Sequence, residues 1–140
     1  MSGLHPVVLV DSNVLIDIRS EDPVWFEWSA AALAEAADRG DLAINPLIYA
    51  ELSVDAERIE DLDRELGSDY LRLPLPYEAG FLAGRAFLRY RRAGGERRSP
   101  LPDFYIGAHA AVSRLTLLTR DAARYRSSFP TVQLISPPAQ

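Results

Sequence analysis

Four acidic residues that lie far apart along the chain are placed by the sequence pattern where they can meet: Asp11, Glu51, Asp103 and Asp121. Asp11 directly follows a continuous apolar run, Val7-Val8-Leu9-Val10, and Asp121 lies two residues after a second such run. Ligands of open α/β sheets bind beyond the carboxyl ends of the strands. Carboxylates that converge there repel one another unless a cation neutralises them, and oxygen-only ligands favour Mg2+ or Mn2+.

Each acid also has an ordinary structural explanation. Asp11 and Asp121 can cap the helical segments that follow them, and Asp103 can complement a helix dipole. Glu51 can be a solvated helix residue, as most glutamates are. The four together are more informative than any one of them, because a carboxylate cluster needs a counter-ion.

The elements that would position these acids alternate between strands and helices. Strands are predicted at 7–10, 42–44, 71–73, 116–119 and 132–135. Helices are predicted at 14–18, 23–39, 46–52, 59–66, 77–92 and 103–113, with a loop at 93–102 and a helical turn at 121–125. The alternation predicts an α/β fold in which a parallel sheet is covered by helices on both faces.

Composition excludes several classes of protein. The 140 residues include no cysteine, which excludes a disulfide scaffold, a zinc ribbon and a thiol nucleophile. All 15 basic residues are arginine, which excludes phosphate-binding loops, receiver domains and haloacid-dehalogenase-type phosphatases, since these need a lysine. We expect one domain at 1–136 with a short proline-containing tail at 137–140. Without a recognisable signal peptide or membrane span, we expect a cytoplasmic protein.

Four segments around the acids resemble a known family in the expected order. Asp11-Ser12-Asn13-Val14-Leu15-Ile16-Asp17 resembles the opening motif of PIN-domain ribonucleases, in particular of VapC-type toxins from toxin–antitoxin pairs. The segments Asn45 to Leu52, Pro102 to Ala110 and Leu117 to Asp121 resemble the second, third and fourth motifs. The resemblance implies a PIN-like three-layer α/β/α sandwich with a central, mostly parallel sheet.

The resemblance also implies roles. The protein would be an endoribonuclease that depends on Mg2+ or Mn2+ and acts as the toxin of a type II toxin–antitoxin system. All four acids would form the metal site, with Asp11 and Asp103 as direct ligands, and the hydroxyls of Ser12 and Thr119 would support them. One Mg2+ would leave a formal charge of about −2 on the four carboxylates and two would bring it to about zero, and the sequence does not choose between them.

A carboxylate that does not bind the metal directly, Glu51 or Asp121, would orient or deprotonate the attacking water. This chemistry needs no histidine. His109 lies about 240° around a helix from Asp103, so we expect a structural or surface role for it.

An arginine-rich segment suggests the substrate. Residues 85–98 contain six arginines and one acid. Arginine pairs bidentately with phosphate, so the segment is a candidate RNA-binding patch, and Tyr90 or Tyr105 could stack on an unpaired base. A solvated helix face is the simpler alternative. The patch consists of Arg85, Arg89, Arg91, Arg92, Arg97 and Arg98.

The predicted helix at 23–39 suggests a protein partner. It carries two apolar stripes, one with Trp25 and Trp28 and the other with Phe26 and Leu33. Both stripes can belong to the core, or one can contact another protein. We hypothesise that Trp25 or Trp28 contacts a VapB-like antitoxin or a second copy of the chain in a homodimer.

Two other functions stay open at this point. One is a catalytically silent PIN-like module that binds RNA or protein, and the other is a metal nuclease directed at DNA. The presence of all four acids favours an active enzyme. No residue pattern in the sequence reads a 2′-hydroxyl, so the choice between RNA and DNA needs a comparison of substrates.

Overall fold

The computed structural model describes residues 6–94 and 101–138, and within them five strands and seven helices alternate. The strands are β1 (Val7–Val10), β2 (Asp41–Ile44), β3 (Tyr70–Arg72), β4 (Thr116–Leu118) and β5 (Leu134–Ile135). The helices are α1 (Ser12–Arg19), α2 (Phe26–Arg39), α3 (Pro46–Ser53), α4 (Ile59–Leu66), α5 (Tyr77–Arg92), α6 (Leu101–Ser113) and α7 (Ala123–Arg126). This arrangement confirms the predicted α/β sandwich.

The five strands form one sheet in the order β3-β2-β1-β4-β5. Every pair of neighbours is parallel, so the sheet is entirely rather than mostly parallel. The chain leaves β1 toward β2 on one side and later returns to β4 on the other side. The carboxyl ends of β1 and β4 therefore flank the topological switch point, where open sheets of this type bind their ligands.

The central strands are apolar because both of their faces are covered. Leu9, Val10, Leu117 and Leu118 are fully buried, as expected for strands in the middle of a parallel sheet. Asn45 begins α3 by accepting a hydrogen bond from the backbone N–H of Ile48 at 2.9 Å. This cap sets the direction of the helix that carries Glu51.

Helix α6 packs closely against α5 and α7. The Phe104 ring lies 5.6 Å from the Phe87 ring and 5.4 Å from the Tyr90 ring, measured between centroids. On another face, a Cβ atom at Gly107 would lie only 2.5 Å from Cδ2 of Phe129 and 3.0 Å from Cδ1 of Tyr125. The glycine thus allows these two rings to approach the helix that carries Asp103.

Several predicted boundaries were wrong. The second helix begins at Phe26 and not at Pro23, because Asp22 caps a preceding turn through the N–H groups of Val24 and Trp25. Helix α1 begins two residues before the predicted start, since Asp11 itself is the N-cap. Helix α6 begins at Leu101, inside the segment predicted as a loop. In the described part of the chain, no helix combines the length and apolar character needed to cross a membrane.

Candidate active site

Asp11 lies at the carboxyl end of β1 and is almost completely buried, with 2% of its surface exposed. Its Oδ1 accepts a hydrogen bond from the Ser12 N–H at 2.9 Å. Its Oδ2 accepts hydrogen bonds from Oγ1 of Thr119 at 2.9 Å and from the hydroxyl of Tyr125 at 2.8 Å. Burial raises the pKa of the Asp11 carboxyl, although these donors favour its ionised form. Oδ1 keeps a lone pair for a further ligand.

Glu51 reaches the same region from α3. Its Oε1 accepts a hydrogen bond of 2.6 Å from the Ser12 hydroxyl, so Ser12 contacts Asp11 through its backbone and Glu51 through its side chain. Burial raises the pKa of Glu51, and the negative charges of Asp11 and Asp103 raise it further. This carboxyl is therefore suited to accept a proton nearer to neutral pH than an exposed glutamate would.

Asp103 lies in the first turn of α6 and is only 7% exposed. Burial raises its pKa more than the nearby guanidinium of Arg124 lowers it, and the charges of Asp11 and Asp121 also raise it. The charge of Asp11 thus raises the pKa values of both Glu51 and Asp103, which reflects the proximity of the three carboxyls. The sheet edge thus brings carboxylates from distant parts of the chain into one electrostatic neighbourhood.

The segment after β4 completes this neighbourhood. Thr119 is fully buried, and its Oγ1 accepts hydrogen bonds from the Asp121 N–H at 3.1 Å and from Nδ2 of Asn13 at 3.3 Å. Oδ2 of Asp121 lies 3.0 Å from Nη2 of Arg124. Nε of the same arginine lies 3.6 Å from Oδ2 of Asp103. All four predicted acids, with Ser12 and Thr119, are linked through these contacts.

Asn13, Tyr125 and Arg124 also contact the predicted acids or Thr119, although they were not among the predicted site residues. Asn13 belongs to the first motif, and its side chain connects Thr119 with the loop after β4 by accepting a hydrogen bond from the Arg120 N–H at 3.3 Å. Tyr125 and Arg124 lie within one turn of Asp121, and this short spacing was the available signal. The order of residues alone does not reveal that the Tyr125 hydroxyl points at Asp11.

A second missed feature is the ion pair between Asp17 and Arg120. Asp17 is 2% exposed, and its Oδ2 accepts hydrogen bonds from Nε of Arg120 at 2.7 Å and from the Ser29 hydroxyl at 2.9 Å. The Arg120 guanidinium also lies over the Trp25 ring, 5.5 Å from its centroid. Arg120 therefore connects the loop that carries Asp121 with α1 and with the segment just before α2.

His109 has a structural environment. It is buried, and its Nδ1 lies 3.0 Å from Nδ2 of Asn45, the residue that caps α3. Burial lowers the pKa of the imidazole, so the ring is neutral at neutral pH and accepts the hydrogen bond from the amide. A surface position for this histidine, one of the two expected, is wrong.

A protein-family model described as PIN domain matches residues 8–129. The chain belongs to the PIN domain family. No curated protein sequence matches the chain significantly.

Solved structures share the fold of this PIN domain. A chain of VapBC2 from Rickettsia felis, bound to a promoter DNA fragment, matches with a TM-score of 0.71 and 19% identity, over 93% of this chain and 98% of that chain. VapBC-1 from nontypeable Haemophilus influenzae matches with a TM-score of 0.72 and 18% identity, over 93% and 97% of the two chains. A toxin–antitoxin complex from Klebsiella pneumoniae matches with a TM-score of 0.64 and 24% identity, over 95% and 99%.

The acids of this PIN domain fit a divalent ion by their chemistry. Within residues 6–94 and 101–138, no three carboxylate or imidazole groups are arranged to hold one metal ion together. The donors are nevertheless carboxylate oxygens without sulfur or imidazole among them, which is the set that Mg2+ and Mn2+ prefer. Three of the four have raised pKa values, as expected for carboxylates that need a cation.

The predicted arginine patch lies partly within the described structure of the PIN domain. Arg85, Arg89, Arg91 and Arg92 are exposed on α5, and the Arg91 guanidinium lies 5.7 Å from the centroid of the Phe87 ring. Arg97 and Arg98 lie outside the described residues. Of the two candidate stacking residues, Tyr105 donates a long hydrogen bond of 3.4 Å to the carbonyl oxygen of Pro76, and Tyr90 packs against Phe104.

Apolar side chains at the start of α2 and just before it are not fully buried in this PIN domain. Trp25 and Trp28 are each partly exposed, and the neighbouring Val24 and Phe26 are 74% and 36% exposed. The two apolar stripes of the helix therefore do not both belong to the core. Apolar surface remains here for contact with another molecule.

Proposed function

We propose that this protein is a Mg2+-dependent endoribonuclease that acts as the toxin of a type II toxin–antitoxin system; Mn2+ would serve equally. The observation that carries the proposal is the linked cluster of Asp11, Glu51, Asp103 and Asp121 at the switch point of the parallel sheet. Membership of the PIN domain family supports it. The chain contains no lysine, which argues against receiver domains and haloacid-dehalogenase-type phosphatases, since these need a lysine.

Each acid has a distinct part in this proposal. Asp11 and Asp103 would hold the metal ion, and the hydrogen bonds from Ser12, Thr119 and Tyr125 fix the orientation of Asp11. A bound divalent ion would stabilise the charge that develops on the phosphate and acidify a water molecule.

Glu51 is the better of the two candidates for accepting the proton of that water. Its raised pKa suits a general base, and the Ser12 hydroxyl holds its side chain. Asp121, by contrast, is ion-paired with Arg124.

RNA would approach along α5. The exposed guanidinium groups of Arg85, Arg89, Arg91 and Arg92 offer phosphate contacts on the helix that leads toward α6 and Asp103. The predicted patch extends through Arg97 and Arg98.

A VapB-like antitoxin is the proposed protein partner. The similar solved structures are VapBC and toxin–antitoxin complexes, and this chain leaves apolar surface exposed around Trp25 and Trp28. Aromatic residues of this kind are frequent anchors in protein interfaces. We also propose a homodimer, which sedimentation of the purified protein would detect.

The nuclease proposal is tested with purified protein on a structured RNA and on DNA of the same sequence. We expect RNA cleavage with Mg2+, no cleavage in EDTA, and none by Asp11→Asn, which keeps the side-chain size but removes the charge. Asp55→Asn, an exposed aspartate on the loop after α3, is the matched control and should retain activity. Cleavage in EDTA would contradict metal dependence, and faster cleavage of DNA would change the substrate class.

One observation favours the silent binding module as the second candidate. In the described structure, Arg124 already pairs with Asp103 and Asp121, and no three acids surround a common metal position. RNA binding without cleavage, equal in wild type and Asp11→Asn, would support this module.

The partner proposal has a separate test. A small protein encoded next to this chain should bind it in calorimetry, and Trp28→Ala should weaken the binding while Val112→Ala, on an exposed position of α6, should not. Equal affinity of the two variants would contradict the assignment of the surface.

A further inference from the structure

Arg124 is positioned as the resident cation of the acid cluster. Its guanidinium contacts two of the four acids, with Nη2 at 3.0 Å from Oδ2 of Asp121 and Nε at 3.6 Å from Oδ2 of Asp103. In the part of the chain that the structure describes, ion pairs to the four acids come from this residue alone. Its positive charge also lowers the pKa values of Asp11 and Glu51.

The setting of Arg124 allows it to leave. The residue lies on α7, a helix of only four residues, and its side chain is 34% exposed. The ion pair with Asp121, whose side chain is 40% exposed, contributes little net stability, because water solvates the separated charges well. The guanidinium can therefore leave Asp121 at little cost, whereas the buried Asp103 needs another cation in its place.

When no metal ion is bound, Arg124 offsets part of the negative charge of the four acids. Four carboxylates carry a formal charge of about −4, and a single guanidinium reduces it to about −3. A divalent ion on Oδ2 of Asp103 would take the oxygen atom that Arg124 now contacts, and it would bring a second positive charge close to the guanidinium. The guanidinium and the metal ion are therefore alternative partners of the same carboxylate.

We propose that Arg124 competes with the divalent ion for Asp103 and Asp121 and thereby sets the metal affinity of the site. The inference rests on the proposed metal-dependent function and names a control on it. Metal binding would release the guanidinium, which then becomes available at the edge of the site. Arg124 thus lowers the apparent affinity for the metal while it stabilises the metal-free protein.

The test is Mn2+ binding by isothermal calorimetry to wild type, Arg124→Gln and the control Arg126→Gln. Arg126 is an exposed arginine on the same helix, so its substitution changes the net charge equally. We expect Arg124→Gln to bind Mn2+ about tenfold more tightly than Arg126→Gln, which corresponds to about 1.4 kcal/mol. We also expect Mn2+ to raise the melting temperature of Arg124→Gln more than that of the wild type.

The outcomes separate this inference from the proposed function. If the wild type binds Mn2+ but Arg124→Gln binds it no more tightly than Arg126→Gln, the proposed competition is overturned and the proposed metal dependence is not. No Mn2+ binding by any of the proteins overturns the competition together with the proposed metal dependence. A loss of stability in Arg124→Gln that Mn2+ does not reverse also overturns the competition, since it indicates a purely structural role.

A measurement on the wild type avoids any variant. The NMR signal of the Arg124 Nε–H group should shift, and its hydrogen exchange should accelerate, when Mg2+ saturates the site. An unchanged signal at saturating Mg2+ overturns the proposed release of the guanidinium.

Discussion

The substitution Tyr125→Phe tests how the buried carboxylate of Asp11 is stabilised. The Tyr125 hydroxyl donates to Oδ2 of Asp11 over 2.8 Å, and both residues are buried. Burial, together with the charge of Asp11, raises the pKa of Tyr125 well above its ordinary value, so the hydroxyl remains a donor at neutral pH. Phenylalanine keeps the ring against Gly107 and removes only this donor.

The expected loss follows from the type of hydrogen bond. A hydrogen bond to a charged group contributes about 1.5–3 kcal/mol to stability. Because Ser12 and Thr119 still donate to Asp11, we expect the lower part of this range, about 1.5–2 kcal/mol, at pH values above the pKa of Asp11. For a domain of this length, the melting temperature should fall by roughly 5–8 °C.

The cost of Tyr125→Phe should depend on pH. Burial raises the pKa of folded Asp11 above its unfolded value near 3.8. Between these two pKa values the folded protein binds more protons than the unfolded chain, so stability rises as the pH falls through the folded pKa. The protonated carboxyl accepts the Tyr125 bond less strongly than the carboxylate does. The difference between wild type and variant should therefore shrink toward acidic pH.

Urea unfolding of the metal-free protein at a series of pH values from neutral toward 3.8 measures this effect. Tyr105→Phe is the matched control, because Tyr105 donates only a long hydrogen bond of 3.4 Å to the backbone of Pro76. That variant should lose less than about 0.5 kcal/mol. Equal losses in the two variants, or a cost of Tyr125→Phe that does not change with pH, would refute the reasoning.

Three further predictions concern other parts of the molecule. Arg120→Ala should lower the free energy of unfolding by about 2–3 kcal/mol, measured in urea, because it leaves the buried Asp17 carboxylate without its cation. Asp103→Asn should stabilise the metal-free protein at neutral pH, because burial raises the pKa of this carboxyl and so disfavours its charged form in the folded state. In thermal melts, the gain in melting temperature should vanish as the pH falls through the raised pKa toward 3.8. Arg91→Ala combined with Arg92→Ala should weaken RNA binding and reduce the slope of log affinity against log salt by about 1.4 if each contacts one phosphate of a single strand.

Exposed residues provide the controls for these predictions. Arg64→Ala removes an arginine from a surface ion pair with Asp61 and should cost less than about 0.5 kcal/mol. Arg58→Ala combined with Arg64→Ala removes two positive charges at α4, so a loss of RNA binding equal to that of the Arg91 and Arg92 pair would count against a specific patch.

The features that the sequence predicted well depend on short-range patterns. The segments 7–10 and 117–118 are continuously apolar, because both faces of these strands are covered. Such an uninterrupted apolar run identifies a central strand of a parallel sheet. Capping residues such as Asn45 identified helix starts because their hydrogen bonds are local. Parallel strands bring the residues after them to one edge, which explains why the four acids could be grouped before any coordinates.

The features that the sequence did not predict depend on contacts between distant segments. The start of the second helix is a local exception, because Asp22 and Pro23 predict a helix there and the chain instead forms a separate turn before the helix begins at Phe26. The pairing of Asp17 with Arg120 joins residues 103 positions apart, and no local pattern indicates it. Arg124 lies three residues after Asp121, but no local pattern indicates that it also approaches Asp103.

The donors of Asp11 have a consequence for the order of events during synthesis. Asp11 belongs to the first strand, whereas Thr119 and Tyr125 follow it by 108 and 114 residues. These hydrogen bonds require the strand that precedes Thr119 to lie beside β1, which is a pairing between distant segments of the chain. A nascent chain that has not yet emerged as far as Tyr125 therefore cannot hold Asp11 in its final setting. The acid cluster comes into being only when almost the whole domain has been translated.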